Sequence, residues 1–158
     1  MIKYSIEGTD RAIAQLSAIE KSTSVAVHQT VGRLVLKLQR RVRAEKLSGQ
    51  VLKVRTGNLR RSIDTAMVES SNGVVGVVST NTKYGRIHEY GFKGTMSVKA
   101  HMRTNKKSGK SFKVRSFPRS VNLPERSFLR SALGDMTDEI KMEILAACNN
   151  AIKSKGTA

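Results

Sequence analysis

The sequence predicts an α+β fold: a small antiparallel β-sheet packed against long N-terminal and C-terminal helices, with a protruding basic β-hairpin. Three observations lead there. Apolar residues recur at helical spacing towards both ends of the chain. Alternation with a period of two is confined to the middle, around two turn signals. One internal stretch, from Glu89 to Glu125, holds nine Lys and Arg and no acid between those two glutamates.

The elements follow in order. Ile2 to Ile6 alternates and reads as a short strand, broken by Gly8. Thr9 or Asp10 can cap a helix, because a short side-chain oxygen satisfies a free backbone N–H. No proline interrupts from there to about Lys46. Ile13, Leu16 and Ile19 form one stripe, and Val27, Val31, Leu34, Val35, Leu38 and Val42 form another. The polar patch Ser22 to Ser24 between them marks a kink or a break. Leu47 to Arg55 reads as a loop. Leu59 and Ile63, four apart, let a short helix bury both while Arg60 and Arg61 stay in water. Asp64 to Ser70 and Val74 to Thr80 read as strands joined by Ser71-Asn72-Gly73, a hairpin signal.

Tyr84, Ile87 and Tyr90 then suit a turn or short helix. In the basic stretch, Met96, Val98, Ala100 and Met102 alternate with Ser97, Lys99, His101 and Arg103. Phe112 and Val114 alternate with Lys113 and Arg115. This predicts a hairpin over about 95–117 with an almost wholly cationic polar face. Pro124 is tolerated in a first helical turn, so a final long helix is expected from there. Leu129, Leu133, Met136, Ile140 and Ile144 line it, with Gly134 as a bend, and it ends near Ser154.

With 158 residues the chain suits a single domain, 1–158, able to bury a core without staples. Cys148 is the only cysteine, which excludes a disulfide framework and a multi-cysteine zinc site. It is expected to behave as a small hydrophobe on the last helix. The opening residues lack the apolar core of a signal peptide. No segment approaches the roughly 18 apolar residues of a membrane span. The net charge of +17 favours polyanions: nucleic acid, an anionic membrane surface or an acidic protein.

Signatures of chemistry are missing. Gly109-Lys110-Ser111 resembles the end of a phosphate-binding loop, but Thr104 stands where the first glycine must be. His88-Glu89 is half of a zinc-protease motif, with Phe92 in place of the second histidine. His28 and His101 lie in other elements, so no metal or other cofactor is expected. There is no aromatic-rich face to stack bases. The hairpin could follow a phosphate backbone without reading sequence, or bind an acidic protein.

Several short motifs, in this order, resemble the head–tail connector and tail-completion proteins of long-tailed phages, the gene-product-ten-like family. They are Leu52 to Ile63, containing Thr56-Gly57-Asn58-Leu59; Tyr84 to Gly91; Val98 to Arg103; and Pro124 to Leu133. Ser127 stands where that family commonly has proline before the Phe. The resemblance spans roughly residues 30–150 and implies a non-enzymatic structural protein of the virion neck, made in the host cytoplasm. It would join the head-side connector to the tail tube as part of a ring around the DNA passage, a hexamer if it matches the tube. Implied partners are further copies of itself, head-side connector or stopper proteins, a tail terminator or tail tube protein, and phage DNA, with no membrane. Rival readings are a nonspecific DNA-binding protein acting off the virion and a small phage nuclease.

Lys106, Lys107 and Lys110 at the hairpin tip are the expected partner contacts. Arg33, Lys37 and Arg40 on the first helix are expected nearest to DNA. Thr56, Gly57, Leu59, Ile63, Tyr84, Glu89, Gly91, Phe128 and Leu129 are expected to hold the fold. Gly57 would supply a turn that a Cβ resists, and Tyr84 and Tyr90 would be half-buried anchors.

Overall fold

The computed structural model describes residues 8–71 and 73–156, so the strand expected at Ile2 to Ile6 lies outside the described residues. The chain divides into two compact units. One combines residues up to Asn81 with those from Phe128 onward; the other is Thr82–Ser127. The α+β class is as expected.

In the first unit, helix α1 runs unbroken over Thr9–Arg41. Neither Thr9 nor Asp10 caps it; Gly8 holds that position with a left-handed backbone and no side-chain cap bond. The Ser22–Ser24 patch causes no break, since each serine or threonine weakens a helix only slightly. Helix α1 passes into a wider turn, Val42–Gln50, that ends at a kink where Ser48 and Gly49 leave helical geometry. The expected loop therefore begins only beyond Gln50. The amides of both Val51 and Leu52 reach back to the Lys46 carbonyl. This extra winding turns Val42, Lys46 and Leu47 inward, and all three are buried.

Helix α2 is a single turn, Asn58–Arg61. Strands β1 (Ile63–Ser70) and β2 (Gly73–Thr80) pair antiparallel from Ile63↔Thr80 to Ser70↔Gly73. Ile63 opens β1 instead of closing the short helix. Its carbonyl accepts from Gln39 Nε2 at 3.0 Å and from the Arg43 guanidinium, which ties the hairpin to the end of α1. The hairpin lies so close to α1 that a Cβ on Gly76 would come within 2.1 Å of a Val35 methyl.

The last helical region does not start at Pro124. Residues 124–127 are irregular, and helix α4 (Leu129–Gly134) is separated from α5 (Thr137–Gly156) at the expected bend. Met136, in that break, is fully buried. The core gathers Val42, Leu47, Ile63, Phe128 and Ala132, with Leu38, Leu59 and Leu129 packed around them. Helix α5 runs antiparallel to α1: Asp135 meets Lys46, whereas Glu139 and Glu143 meet Lys37. At 1.5 Å per residue α1 is about 50 Å long and α5 about 30 Å. The first turns of α1 therefore outreach their partner, and Ile13 and Leu16, two of the residues in the first apolar stripe, are exposed.

The second unit begins with helix α3 (Lys83–Tyr90). Strand β3 (Phe92–Val98) pairs with β6 (Phe117–Leu123), and β4 (His101–Thr104) with β5 (Ser111–Val114). Val98 faces Phe117 and His101 faces Val114, so one register carries across the gap between the two ladders. The result is one ribbon over 92–123, longer than expected and about 40 Å from base to tip at 3.3 Å per residue.

Candidate interaction surfaces

The ribbon's base is fixed by buried polar contacts. Glu89 is almost fully buried and accepts a hydrogen bond from Ser127 Oγ at 2.8 Å. The Arg126 amide donates to the His88 carbonyl at 2.8 Å, closing the returning chain onto α3. Gly91 turns the chain with φ of 73°, and a Cβ there would lie 2.9 Å from both the Glu125 nitrogen and the Leu123 oxygen. Sequence reasoning missed the Glu89–Ser127 pair. The signal was the departure at Ser127, since a proline there has no hydroxyl to offer the carboxylate.

At the far end, the Asn105 amide donates to the Lys110 carbonyl, the Gly109 amide to the Asn105 carbonyl and the Lys107 amide to Asn105 Oδ1. This closed turn presents Lys106, Lys107 and Lys110 to solvent, at the tip as expected.

The two faces of the ribbon differ from expectation. Residues directly opposite in an antiparallel pair share a face. The register sets Met96 against Arg119 and Met102 against Lys113 on one face, and Arg103 against Phe112 on the other. Met96, Met102 and Phe112 thus lie beside cations of the neighbouring strand, while Phe92 faces Leu123 and Val98 faces Phe117, and no purely cationic face forms. Period-two alternation within each strand could not show this, because it depends on the cross-strand register.

In the first unit, several cations meet carboxylates. Lys37 is held by Glu139 and by Glu143 at 3.3 Å, Arg41 lies 3.5 Å from Glu45, and buried Lys46 lies 2.6 Å from Asp135. Donating hydrogen bonds to Glu139 and Glu143 holds the Lys37 ammonium above its ordinary value of 10.5. The hydrogen bond from Lys46 holds the Asp135 carboxyl below its ordinary 3.8. Of the three residues expected near DNA, Lys37 is therefore charge-balanced. Arg33 donates to Thr30 Oγ1 at 3.0 Å and, like Arg40, is exposed. The outer face of the β1–β2 hairpin is apolar and open, with Val68 and Val75 both about half exposed.

The remaining motif residues are placed as follows. Gly57 takes the left-handed conformation before α2, at φ of 74°. Thr56 is exposed, and its hydroxyl lies at the Asn58 amide. Leu59 and Leu129 are half-buried, whereas Ile63 and Phe128 are fully buried. Tyr84 is 41% exposed, with its ring edge-on to His88, near the half-buried placement expected, whereas Tyr90, 61% exposed, lies further out. Cys148 is a half-buried free thiol.

Open grooves among the described residues include two of note. One, about 790 Å³, is lined by Arg86, Ile87, Tyr90, Gly91 and Phe92. The other, about 480 Å³, lies between α1 and the β1–β2 turn, where His28 stands 3.7 Å from a solvent-exposed Glu69. Among the described residues no cluster of three or more His, Cys, Asp or Glu could hold a metal ion. No helix among them is long and apolar enough to cross a membrane.

What this arrangement offers is surface for assembly: an open apolar hairpin, an overhanging helix and a cationic ribbon. A family model described as "Bacteriophage HK97-gp10, putative tail-component" matches residues 9–91, more than half of the chain, from the start of α1 to the glycine after α3. The chain belongs to this phage tail-component family. No curated protein and no solved structure matches it.

Proposed function

We propose that the protein is a non-enzymatic structural component of the virion neck, joining the head-side connector to the tail tube as a ring around the DNA passage. Membership of the tail-component family carries the reading. The open apolar surface supports it. Val68, Val75 and Val77 on one hairpin face, and Ile13 and Leu16 on α1, stay in water in the single chain. Contiguous exposed apolar surface marks an interaction site. In a closed ring one patch of each copy meets a different patch of the next, and the outer β1–β2 face is the patch offered to the neighbouring copy. Six copies would match a sixfold tail tube.

In this assembly Lys106, Lys107 and Lys110 contact a neighbouring protein, either a head-side stopper or the tail terminator or tube. Arg33 and Arg40 face the DNA passage, with Lys37 between them engaged by α5. A conduit has to let DNA slide, which argues against tight DNA binding.

The test is a mass-spectrometric inventory of purified particles followed by reconstruction of the neck. Several copies around the axis are expected. A single off-axis copy would refute the ring. A chain absent from particles that binds duplex DNA with a steep salt dependence would instead be a DNA-binding protein acting off the virion.

A further inference from the structure

We infer that the ribbon face carrying Met96, Met102 and Phe117 in one copy covers the outer β1–β2 face of a second copy of this chain. The inference rests on the neck reading, in which that hairpin face meets a neighbouring copy, and it names the surface that meets it.

The two registers define both faces. On the outer side of the hairpin, Val68 stands opposite Val75 and Ala66 opposite Val77, with Asp64 opposite Ser79 at one end. Glu69 follows Val68 at the other end, its side chain 86% exposed. On the ribbon, Met96 stands opposite Arg119, Val98 opposite Phe117 and Met102 opposite Lys113, all on one face. Met96, Met102, Phe117 and Leu123 on this face are each at least 40% exposed, whereas Phe112 is the comparable residue on the other. Methionine adapts its shape to a partner surface.

Charge selects a second copy. In a chain of net charge +17, residues 63–80 hold two acids and no Lys or Arg, and residues 92–123 hold nine Lys and Arg and no acid. The spacing agrees as well: along a strand Asp64 and Glu69 are about 17 Å apart, and Lys113 and Arg119 about 20 Å. Each pair brackets an apolar strip. Laying one strip on the other buries both face to face and brings the cations to the acids. The tip, three residues beyond Lys113 and so about 10 Å further on, stays free for another protein. Each copy carries both faces, so the contact repeats from copy to copy as a ring requires. Other acids of the chain suit the ribbon less well. Arg11 and Lys21 stand beside Asp10 and Glu20 on the α1 overhang. At the start of α5, Asp135 is engaged by Lys46, and Glu139 and Glu143 by Lys37. Strand addition at the open edge of β3, or at an edge of the β1–β2 hairpin, widens a sheet sideways and leaves both apolar faces in water. At the β6 edge Pro118 has no N–H to donate. A phosphate backbone meets the cations but buries none of the Met and Phe surface.

The test uses full-length chains carrying Cys148→Ser, so that each further variant has a single cysteine. Particles are assembled from an equal mixture of Val75→Cys chains with Phe117→Cys chains or, for the opposite ribbon face, with Ser97→Cys chains, and are treated with a short bis-maleimide. A link from position 117 to position 75 can then join only two different copies. Peptide mass spectrometry should find it several-fold above the link from position 97 to position 75. No such link, or equal yields from the two ribbon faces as edge pairing would give, overturns the inference and leaves the neck reading standing. Absence of the unmodified chain from particles overturns both. A charge swap decides the matter if a cysteine variant stays out of particles. Asp64→Lys with Glu69→Lys should lower incorporation several-fold, and adding Lys113→Glu with Arg119→Glu to the same chain should restore it. No loss, or a loss without rescue as docking on a different protein or on DNA would give, overturns the inference.

Discussion

The helical unit and the ribbon unit handle the same excess of cations in opposite ways. In the helical unit, Lys37, Arg41 and Lys46 each meet a carboxylate: Glu139 on α5, Glu45 one turn on, and Asp135 in the break before α5. Lys46 can be buried because its ammonium has Asp135 beside it. In the ribbon, nine cations lie between Glu89 and Glu125 with no acid among them. Its charge is left for something outside the chain. Under the proposed neck role the helical unit uses charge to fold and the ribbon keeps it for contact. Substitutions in the first should change stability, and those in the second should change assembly.

The largest effect is expected in the helical core. Phe128→Ala should cost about 3–5 kcal/mol and Ile63→Ala about 2–5 kcal/mol, because both side chains are fully buried. Leu59→Ala should cost less, since Leu59 is only half-buried. Chemical denaturation of the purified variants checks the order; equal losses at Leu59 and Ile63 would contradict the packing described.

A steric change is expected to come next. Gly76→Ala places a methyl carbon 2.1 Å from Val35 Cγ2, so the hairpin has to move off α1. Overpacking of this kind costs about 1–3 kcal/mol. Thermal melts should show a lowered midpoint, and an unchanged one would mean that the hairpin does not hold its place on the helix.

The ribbon should behave differently. Replacing Lys106, Lys107 and Lys110 together with alanine should shift stability by no more than about 0.5 kcal/mol, as exposed substitutions usually do. The same variant should fail in particle assembly while its weak affinity for DNA hardly changes. If the tip instead touches phosphate, the salt dependence of DNA binding should flatten by up to about three units. Normal assembly with lost DNA binding would refute the protein-contact role of the tip.

The smallest effects concern pH. The folded-state pKa of Asp135 is lowered, so its contribution is present above the unfolded value of 3.8 and is lost as pH falls through the folded value. That of Lys37 is raised, so its contribution is complete below 10.5 and is lost as pH rises through the folded value. Stability should be flat at neutral pH and should weaken in strong acid and strong base. Asp135→Asn should flatten the acid limb and Lys37→Met the alkaline limb. Both groups are partly exposed, so the changes should be small and reduced by salt.

The sequence by itself determined the elements whose signal is local. Helix α1, the β1–β2 hairpin, the left-handed turn at Gly57 and the bend at Gly134 were all legible, because periodicity, turn residues and proline-free runs act over a few neighbours. The family motifs inside the matched residues 9–91, Leu52 to Ile63 and Tyr84 to Gly91, were legible for the same reason, since they sit on tight turns and short helices. What the tertiary structure decided depends on which segments meet. Ile13 and Leu16 carry a core-like stripe but stay exposed, because α5 is too short to cover them. Leu47 is buried because a wider turn rotates it inward. Lys37 reads as a surface cation until Glu139 and Glu143, about a hundred residues away, arrive beside it. On the ribbon, each strand alone separates apolar from basic residues, and only the pairing of Met102 with Lys113 and of Arg103 with Phe112 mixes them. A register is a relation between two strands, so alternation within either strand leaves it open until the chain has folded.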